Sequence, residues 1–153
     1  MKERLTALAV QLGVAGRITF MGRVSHEEKV ACYRAAHCLV LPATHRSEAF
    51  GLVQVEALAC GLPVICTNID SGVPVVNRDG VTGFVVEPSD PDGLAAALER
   101  LLGDRTLHAA FARAARQRAT EVYSRDVMLR DVHALYDDLL AGPRGMPAPV
   151  PSA

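Results

Sequence analysis

Residues 38–68 read CLVLPATHRSEAFGLVQVEALACGLPVICTN, and this stretch decides how the chain is expected to fold. The first run, 38–43, is short and continuously apolar, as in a strand that is buried on both faces of a parallel sheet. Residues 52–60 have apolar side chains at helical spacing and are followed by Gly-Leu-Pro, a usual end for a helix. A second strand is predicted at 63–68. The stretch therefore predicts one strand–helix–strand unit with a right-handed crossover.

The same alternation continues on both sides of this unit. Strand-like runs are found at 17–22 and 83–88. Residues 25–36 have a helical pattern in which Ser25 and Glu28 stand at the spacing of a capping box. Strands separated by helix-length segments predict an α/β fold with a Rossmann-like, doubly wound parallel sheet.

The C-terminal third of the chain has no strand signal. Three amphipathic helices are predicted there as additional cover for the sheet, at 91–104, 105–124 and 125–142. Residues 142–153 contain four prolines and little apolar material, so they are predicted to form a disordered tail. A chain of 153 residues is long enough for one hydrophobic core. Residues 1–141 are therefore expected to form one domain.

The composition excludes several classes of partner. The formal net charge of -1 gives no electrostatic basis for binding nucleic acid or an anionic membrane. No apolar run approaches the length of a transmembrane segment, and no signal peptide is recognised, so a cytoplasmic protein is expected. The four cysteines lack the spacing of a zinc or redox motif and are expected to be free thiols. No metal site is predicted from the scattered histidines.

Two acids interrupt this apolar region. Glu48 lies in the polar loop after the first strand, and Glu56 lies about one turn into the helix. In an open α/β sheet, ligands bind beyond the carboxyl ends of the strands, where helix N-termini also point. The amides of Phe50, Gly51 and Leu52 are therefore expected to form an anion site that suits a phosphate. Gly51 has no side chain to block the approach of the ligand.

The two carboxylates favour a ligand with neutral hydroxyl groups, because an acid beside a phosphate repels it. Glu48 suits a sugar next to the phosphate, and Glu56 suits a ribose diol. Sugar, diphosphate and ribose in sequence make a nucleotide sugar. Two plainer interpretations stay open: Glu48 as an acid that complements the helix dipole, and Glu56 as an ordinary solvent-facing residue.

The segments SEAFGLVQVEALACGLPVI (47–65) and SGVPVVNRDGVTGFVVEPSDPDGLAAAL (71–98) resemble the donor-binding half of the group 1 retaining glycosyltransferases, which have the GT-B fold. The resemblance extends from residue 1 to residue 141. It implies that Glu48 is the catalytic-site acid that contacts the transferred sugar and that Glu56 holds the ribose hydroxyls. The other positions that it implies in binding the donor are Ala49, Phe50, Gly51 and Leu52 for the sugar and diphosphate, and Gly22, Arg23 and Val24 for the base.

The implied reaction is transfer of a sugar from a nucleotide diphosphate sugar of the UDP, GDP or ADP type to an acceptor, as in polysaccharide or glycolipid biosynthesis. The resemblance implies no metal, and no cofactor is expected. The Asp-Pro-Asp sequence at 90–92 matches a metal-binding motif by letter only. Asp90 before Pro91 at the start of an apolar helix is better explained as an N-cap.

The sequence departs from the family pattern in two respects. Val75 stands where many members have Glu, whereas Asn77 agrees with a subset of the family. The N-terminal acceptor domain, and an Arg and a Lys that clamp the diphosphate, would precede residue 1. We therefore expect this chain by itself to have little or no transferase activity.

Two other functions are alternatives to transfer. The chain could instead be a non-catalytic nucleotide-sugar-binding module that pairs with a separate acceptor-domain chain. A sugar-nucleotide epimerase of similar architecture is disfavoured, because the acid pair around Phe-Gly is a transferase feature. Since the surface that faces the acceptor domain would be exposed in this chain, self-association is also an expectation.

Overall fold

A computed structural model describes residues 2–141, so the predicted tail at 142–153 lies outside the described residues. The chain divides into two compact units, residues 1–32 and 33–153. The first contains helix α1 (Lys2–Gln11), a 3-10 turn (Ala15–Arg17) and most of helix α2 (His26–Ala35).

The start of α2 has the predicted capping box. The Ser25 Oγ accepts a hydrogen bond from the Glu28 amide at 3.2 Å, and the Glu28 Oε2 accepts one from the Ser25 amide at 2.7 Å. Both bonds lower the pKa of the Glu28 carboxyl, and the bond from the Ser25 backbone amide has the larger effect. The sequence therefore located the start of this helix correctly.

The strand predicted at 17–22 is wrong. Residue 17 ends the 3-10 turn, and Ile18 has extended backbone angles (φ -116, ψ 128), but residues 18–22 pair with no strand in the described part of the chain. Ile18 and Met21 are 42% and 55% exposed. An apolar, β-branched run favours an extended backbone, but a strand also needs a hydrogen-bonding neighbour, which local sequence does not specify.

The second unit is built on a parallel sheet of β1 (Leu39–Leu41), β2 (Val64–Thr67) and β3 (Gly83–Val86), in the order β1-β2-β3. Val40 lies opposite Ile65, which lies opposite Phe84. Central strand β2 is buried along its whole length, whereas β1, at the edge of the described sheet, is only half-buried. The prediction that β1 is buried on both faces is therefore met only in part.

Helices connect and cover these strands. Helix α3 (Leu52–Ala59) joins β1 to β2, the short helix α4 (Val73–Val76) joins β2 to β3, and α5 (Pro91–Gly103), α6 (Arg105–Tyr123) and α7 (Arg125–Leu140) follow the sheet. Each of the last three helices begins at a side-chain N-cap, formed by Asp90, Asp104 and Ser124. The interpretation of Asp90 as a cap is therefore confirmed.

Two apolar clusters lie on opposite faces of the sheet, because successive side chains of β2 point to opposite sides. Val64 and Cys66 pack in the cluster that contains α3 and α4, and Ile65 packs in the cluster that contains α5. Helix α6 contributes Phe111 to the second cluster and Ala115 to the first. The parallel sheet is thus covered by helices on both faces, which confirms the predicted doubly wound α/β fold.

Asn77, just after α4, joins two strands from inside the core. It is fully buried, and its Nδ2 donates to the carbonyl oxygens of Val64 at 3.1 Å and Phe84 at 2.9 Å. Its Oδ1 accepts a hydrogen bond from the Thr82 hydroxyl at 2.8 Å. Every polar atom of this side chain is therefore satisfied, and each bond is shielded from water.

Gly51 makes the turn from the loop into α3. It is the N-cap residue and has left-handed angles, φ +72 and ψ 58. A Cβ there would lie 2.7 Å from the Gln54 Nε2 and 2.8 Å from the Leu41 Cδ2. The side-chain amide of Gln54 is held in place because its Nε2 donates to the Val73 carbonyl at 3.1 Å. Protein packing therefore requires glycine at this position, in addition to the predicted access for a ligand.

Replacing Asn77 by Ala is expected to lower the free energy of unfolding by about 2–4 kcal/mol, because it removes three buried hydrogen bonds and leaves a cavity in the core. The matched control is Asn68→Ala, since Asn68 is exposed and bonds only the exposed Glu87 carboxylate. That change should cost no more than about 0.5 kcal/mol. Urea denaturation of both variants measures the difference, and equal losses would contradict the role of Asn77.

Replacing Gly51 by Ala is expected to cost about 2–5 kcal/mol, the sum of left-handed strain and the clash with Gln54 and Leu41. Gly80→Ala is the control, because Gly80 has a φ of +67 but no atom within 4 Å of the added Cβ. It should lose only the strain contribution, about 1–2 kcal/mol. The same urea denaturation applies, and similar losses for the two variants would show that space around residue 51 is not limiting.

Candidate functional site

The loop between β1 and α3, residues 42–51, lies at the carboxyl edge of the sheet. Its start is fixed because the Thr67 hydroxyl, at the end of β2, donates to the Ala43 carbonyl. Its end is fixed because the Gly72 amide donates to the Ala49 carbonyl at 2.7 Å. The loops that follow two neighbouring parallel strands are thus tied together, as expected for a ligand-binding crevice in this class of fold.

Close contact between these loops depends on Gly72. A Cβ at this residue would lie 2.8 Å from the Ala49 carbonyl oxygen and 3.0 Å from the Phe50 ring. The Phe50 ring is 38% exposed and makes an edge-to-face contact with Tyr123, with 6.0 Å between ring centroids. The glycine therefore lets the backbone of one loop approach the other.

The first turn of α3 offers backbone donors. The backbone amide of Gln54 donates to the Gly51 carbonyl at 2.8 Å. The amides of Phe50, Gly51 and Leu52 donate to no acceptor within residues 2–141. Leu52 is 70% exposed, so this end of the helix is open to solvent. The start of α3 therefore has three N–H donors without an acceptor among residues 2–141, and their role in binding an anion stays a prediction.

Gln54 is a feature of this region that sequence reasoning missed. The side chain is fully buried, and its Nε2 donates to the Val73 carbonyl at 3.1 Å and more weakly to the Phe50 carbonyl at 3.4 Å. Its Oε1 has no hydrogen-bond partner among the described residues. The signal was available, because a polar residue occupies an inward-facing position of an apolar helix. Gln54 links the loop, α3 and α4.

Glu48 lies in the loop three residues before Gly51 and is half-buried. Its amide donates to the His45 carbonyl at 3.2 Å, which forms a turn that positions the acid. No hydrogen bond or ion pair to its carboxylate is found among residues 2–141. A buried ion pair at Glu48 would have excluded a role in binding a ligand. None is found among the described residues, so the carboxylate can contact one.

Glu56 lies four residues after Leu52, one turn into α3 as predicted, and is half-buried. Its Oε2 accepts a hydrogen bond from the Tyr33 hydroxyl at 2.9 Å. A phenol hydroxyl is thus one of the groups that hold this acid in place. Tyr33 itself was not singled out from the sequence, because its proximity to α3 is a long-range contact.

The predicted donor-site residues are divided between the two units of the chain. A single loop–helix segment of the second unit carries Glu48, Ala49, Phe50, Gly51, Leu52 and Glu56. The residues predicted to receive the base lie in the first unit, at positions Gly22, Arg23 and Val24. Their role in binding stays a prediction.

An apolar groove of about 500 Å³ adjoins this segment. It runs from Phe50 and Leu52 to the exposed side of α7, a helix that has no buried residue. The remaining lining residues are Val55, Val122, Tyr123, Met128, Asp131, Val132 and Leu135. The sequence indicated an amphipathic α7, but its apolar side faces this open groove rather than a packed interior.

The remaining predictions concern metals, thiols and membranes. Within residues 2–141 there is no group of three or more potential metal ligands, and no helix is long and apolar enough to cross a bilayer. The cysteines are free, and burial raises the pKa of the Cys38 and Cys66 thiols. These two thiols therefore stay protonated, so they are poor nucleophiles.

Comparison with known proteins identifies D-inositol 3-phosphate glycosyltransferases among the relatives of this chain. D-inositol 3-phosphate glycosyltransferase of Corynebacterium jeikeium (strain K411) is 38% identical over 144 residues, which are 94% of this chain and 33% of that protein. The enzyme of the same name from Mycobacterium sp. (strain KMS) is 45% identical over 100 residues, 65% of this chain and 22% of that protein. The chain thus spans a third or less of the length of these relatives.

Solved structures of several enzymes have a similar fold. Sucrose-phosphate synthase from Thermosynechococcus elongatus superimposes with a TM-score of 0.81 at 31% identity, over 91% of this chain and 34% of that one. A glycosyltransferase from Rickettsia africae gives a TM-score of 0.83 at 26% identity, over 92% of this chain and 37% of that one. Anabaena HepE, solved with UDP-glucose, shares the fold with a TM-score of 0.80 at 24% identity, over 89% of this chain and 36% of that one.

The sequence pattern of one family accounts for these similarities. The pattern described as glycosyl transferases group 1 matches residues 1–118, which include both units' shares of the predicted donor site. The fold neighbours are enzymes with the GT-B fold, and the match corresponds to the C-terminal domain of such an enzyme. The chain belongs to the group 1 glycosyltransferase family.

Proposed function

We propose that this chain is the donor-binding half of a retaining glycosyltransferase, which moves a sugar from a nucleotide diphosphate sugar to an acceptor hydroxyl. The observation that carries the proposal is the combination of unused backbone donors at the start of α3 with a carboxylate on either side of them. Glu48 precedes these donors in the loop, and Glu56 follows them one turn into the helix.

The start of α3 is assigned the diphosphate. The amides of Phe50, Gly51 and Leu52 have no protein acceptor within residues 2–141, and the helix dipole adds partial positive charge at the same end. Negative charge grows on the diphosphate as the glycosidic bond breaks. Preorganised donors aimed at such charge contribute about 3 kcal/mol each to lowering a barrier. These amides therefore bind the donor and stabilise the leaving group.

Glu48 is assigned the transferred sugar. The turn through His45 fixes the backbone of Glu48, and the half-buried carboxylate can accept hydrogen bonds from sugar hydroxyls. Glycosyl transfer passes through a transition state with positive charge on the sugar ring. A carboxylate beside the ring offsets that charge while it orients the sugar, so Glu48 need not form a covalent bond.

Glu56 is assigned the ribose. A carboxylate has about four lone-pair positions, so it can bind two adjacent hydroxyl groups in addition to Tyr33. Its place one turn beyond the diphosphate donors matches the order of groups in a nucleotide sugar. The base is then assigned to Gly22, Arg23 and Val24. A nucleotide sugar of the UDP, GDP or ADP type satisfies all of these contacts.

The acceptor is assigned to a region that this chain does not cover. The matched segment covers only 22% to 33% of the relatives, which are therefore about three to four and a half times as long as it is. Their name joins glycosyl transfer to D-inositol 3-phosphate, a phosphorylated polyol that has hydroxyl groups. We assign this chain an acceptor of the hydroxyl class, in polysaccharide or glycolipid biosynthesis, and a reducing compartment such as the cytoplasm because its cysteines are free.

The apolar groove beside Phe50 favours a second polypeptide surface against this half of the enzyme. Such a surface is equally expected for a non-catalytic nucleotide-sugar-binding module that pairs with a separate acceptor-domain chain, or for self-association. Turnover separates these functions. The chain by itself is expected to show little or none, and only the transferase half gains activity when an acceptor domain is supplied.

The assignment of donor contacts predicts a specific pattern of thermal stabilisation. Nucleoside diphosphates UDP, GDP and ADP, and the glucose conjugate of each, should be compared as ligands. One that is present at 100 times its dissociation constant adds about 2.7 kcal/mol of stability. Glu56→Gln should weaken binding of the nucleoside diphosphate and of its glucose conjugate alike, by about tenfold. Both ligands lose a charge-assisted hydrogen bond from the ribose to the carboxylate. Glu48→Gln should weaken only the sugar conjugate.

Glu99→Gln is the matched control, because Glu99 is exposed on α5 and is placed in no site. Its dissociation constants should equal those of the wild type. If all three variants behave alike, the two acids do not contact the donor. If none of the six compounds stabilises the wild type, the donor site itself is refuted for this chain.

A further inference from the structure

The hydrogen bond between Tyr33 and Glu56 is a polar contact at the candidate site that the proposed function does not explain. Tyr33 lies in the last turn of α2, and its hydroxyl is 2.9 Å from the Glu56 Oε2. The two residues come from helices that are separated by strand β1. A contact this distant in sequence therefore joins two elements at the acid that is assigned to ribose.

The surroundings of Tyr33 make its hydroxyl a rigid donor. The side chain is only 9% exposed and packs in the apolar cluster with Ala57 and Leu58 of α3. A buried ring of this kind has one accessible orientation, so its hydroxyl occupies a fixed point. Since phenylalanine would fill the same apolar space, packing alone does not account for a hydroxyl at this position. Burial of that hydroxyl requires a partner, and Glu56 supplies it.

The bond restricts the carboxylate as well. A glutamate side chain loses up to about 2 kcal/mol of conformational freedom when it is held in one orientation. The rigid Tyr33 donor restricts the carboxylate before the ligand binds, so part of this conformational entropy is already lost in the free protein. Ligand binding then costs less entropy and is stronger. The other lone pairs of a carboxylate remain suited to hydroxyl donors. The sugar hydroxyls of a ribonucleotide are such donors, and a 2′-deoxyribonucleotide has one fewer.

We propose that Tyr33 is a positioning residue, which holds the Glu56 carboxylate in the orientation that selects ribonucleotides over 2′-deoxyribonucleotides. This inference rests on the proposed function, because it assigns a specificity to the same acid. It adds a residue from α2 to the donor site and a substrate property, preference for the ribose 2′-hydroxyl, that the acid pair by itself does not fix.

The test compares dissociation constants of the full chain for UDP, GDP and ADP with those for dUDP, dGDP and dADP, by calorimetry. The wild type should prefer the ribose form of its nucleotide by about tenfold, the equivalent of one charge-assisted hydrogen bond. Tyr33→Phe should bring that ratio to within about threefold of unity, mainly by weakening the ribose form, because the carboxylate loses the rigid donor that orients it. Affinity for the deoxy form should stay nearly unchanged.

Tyr123→Phe is the matched control, since the Tyr123 hydroxyl bonds Arg118 and the Val75 carbonyl instead of a carboxylate. It should keep the wild-type ratio. The double variant Tyr33→Phe/Glu56→Gln should lose no more ribose preference than Glu56→Gln does, because Tyr33 acts through Glu56. A general loss of packing in Tyr33→Phe would weaken both forms of the nucleotide equally, so it would leave the ratio of their dissociation constants unchanged.

The outcomes are distinct for the two proposals. Binding with an unchanged ribose preference in Tyr33→Phe overturns this inference and leaves the proposed function standing. Equal binding of both sugar forms by the wild type also overturns it, and removes the ribose from Glu56 while keeping the diphosphate at α3. Failure of the wild type to bind any of the six nucleotides refutes the proposed function, and this inference with it.

Discussion

The hydrogen bond from the Gly72 amide to the Ala49 carbonyl, 2.7 Å long, is the contact on which the candidate site depends. It joins the loop after β1 to the start of α4, which follows β2, so that the carboxyl ends of two strands share one rigid edge. Gly72 permits it because any side chain there would meet the Ala49 oxygen at 2.8 Å. Gln54 reinforces the same junction from inside, through its bond to the Val73 carbonyl.

This junction explains how an apolar helix can carry functional acids. Helix α3 packs against the sheet through Ala57 and Leu58, which are fully buried, while Glu56 remains half-buried at the margin of that contact. Its carboxylate accepts a hydrogen bond from the Tyr33 hydroxyl. The helix thus carries an acid at its margin and keeps the apolar face that anchors it.

Local signals were sufficient for most of the fold. The apolar runs that became β2 and β3, the capping box at Ser25, and the N-cap at Asp90 all act within a few residues of the chain, so sequence reads them directly. The strand predicted at 17–22 failed for the converse reason, because pairing depends on a neighbour that no local pattern specifies. Among site residues, the acids and the glycine turn were predicted, whereas Gln54 and Tyr33 were not.

The sequence by itself determined the fold class, the family and the segment that carries Glu48, Gly51 and Glu56, because periodicity, turn chemistry and a spaced acid pair are properties of contiguous residues. Only the tertiary structure decided which groups hold that segment in place. The contacts from Tyr33 to Glu56 and from Gln54 to Val73 each span about twenty residues. Their partners become neighbours only when the parallel sheet and its crossover helices have formed, since the geometry of a hydrogen bond is set by position in space and not by order along the chain.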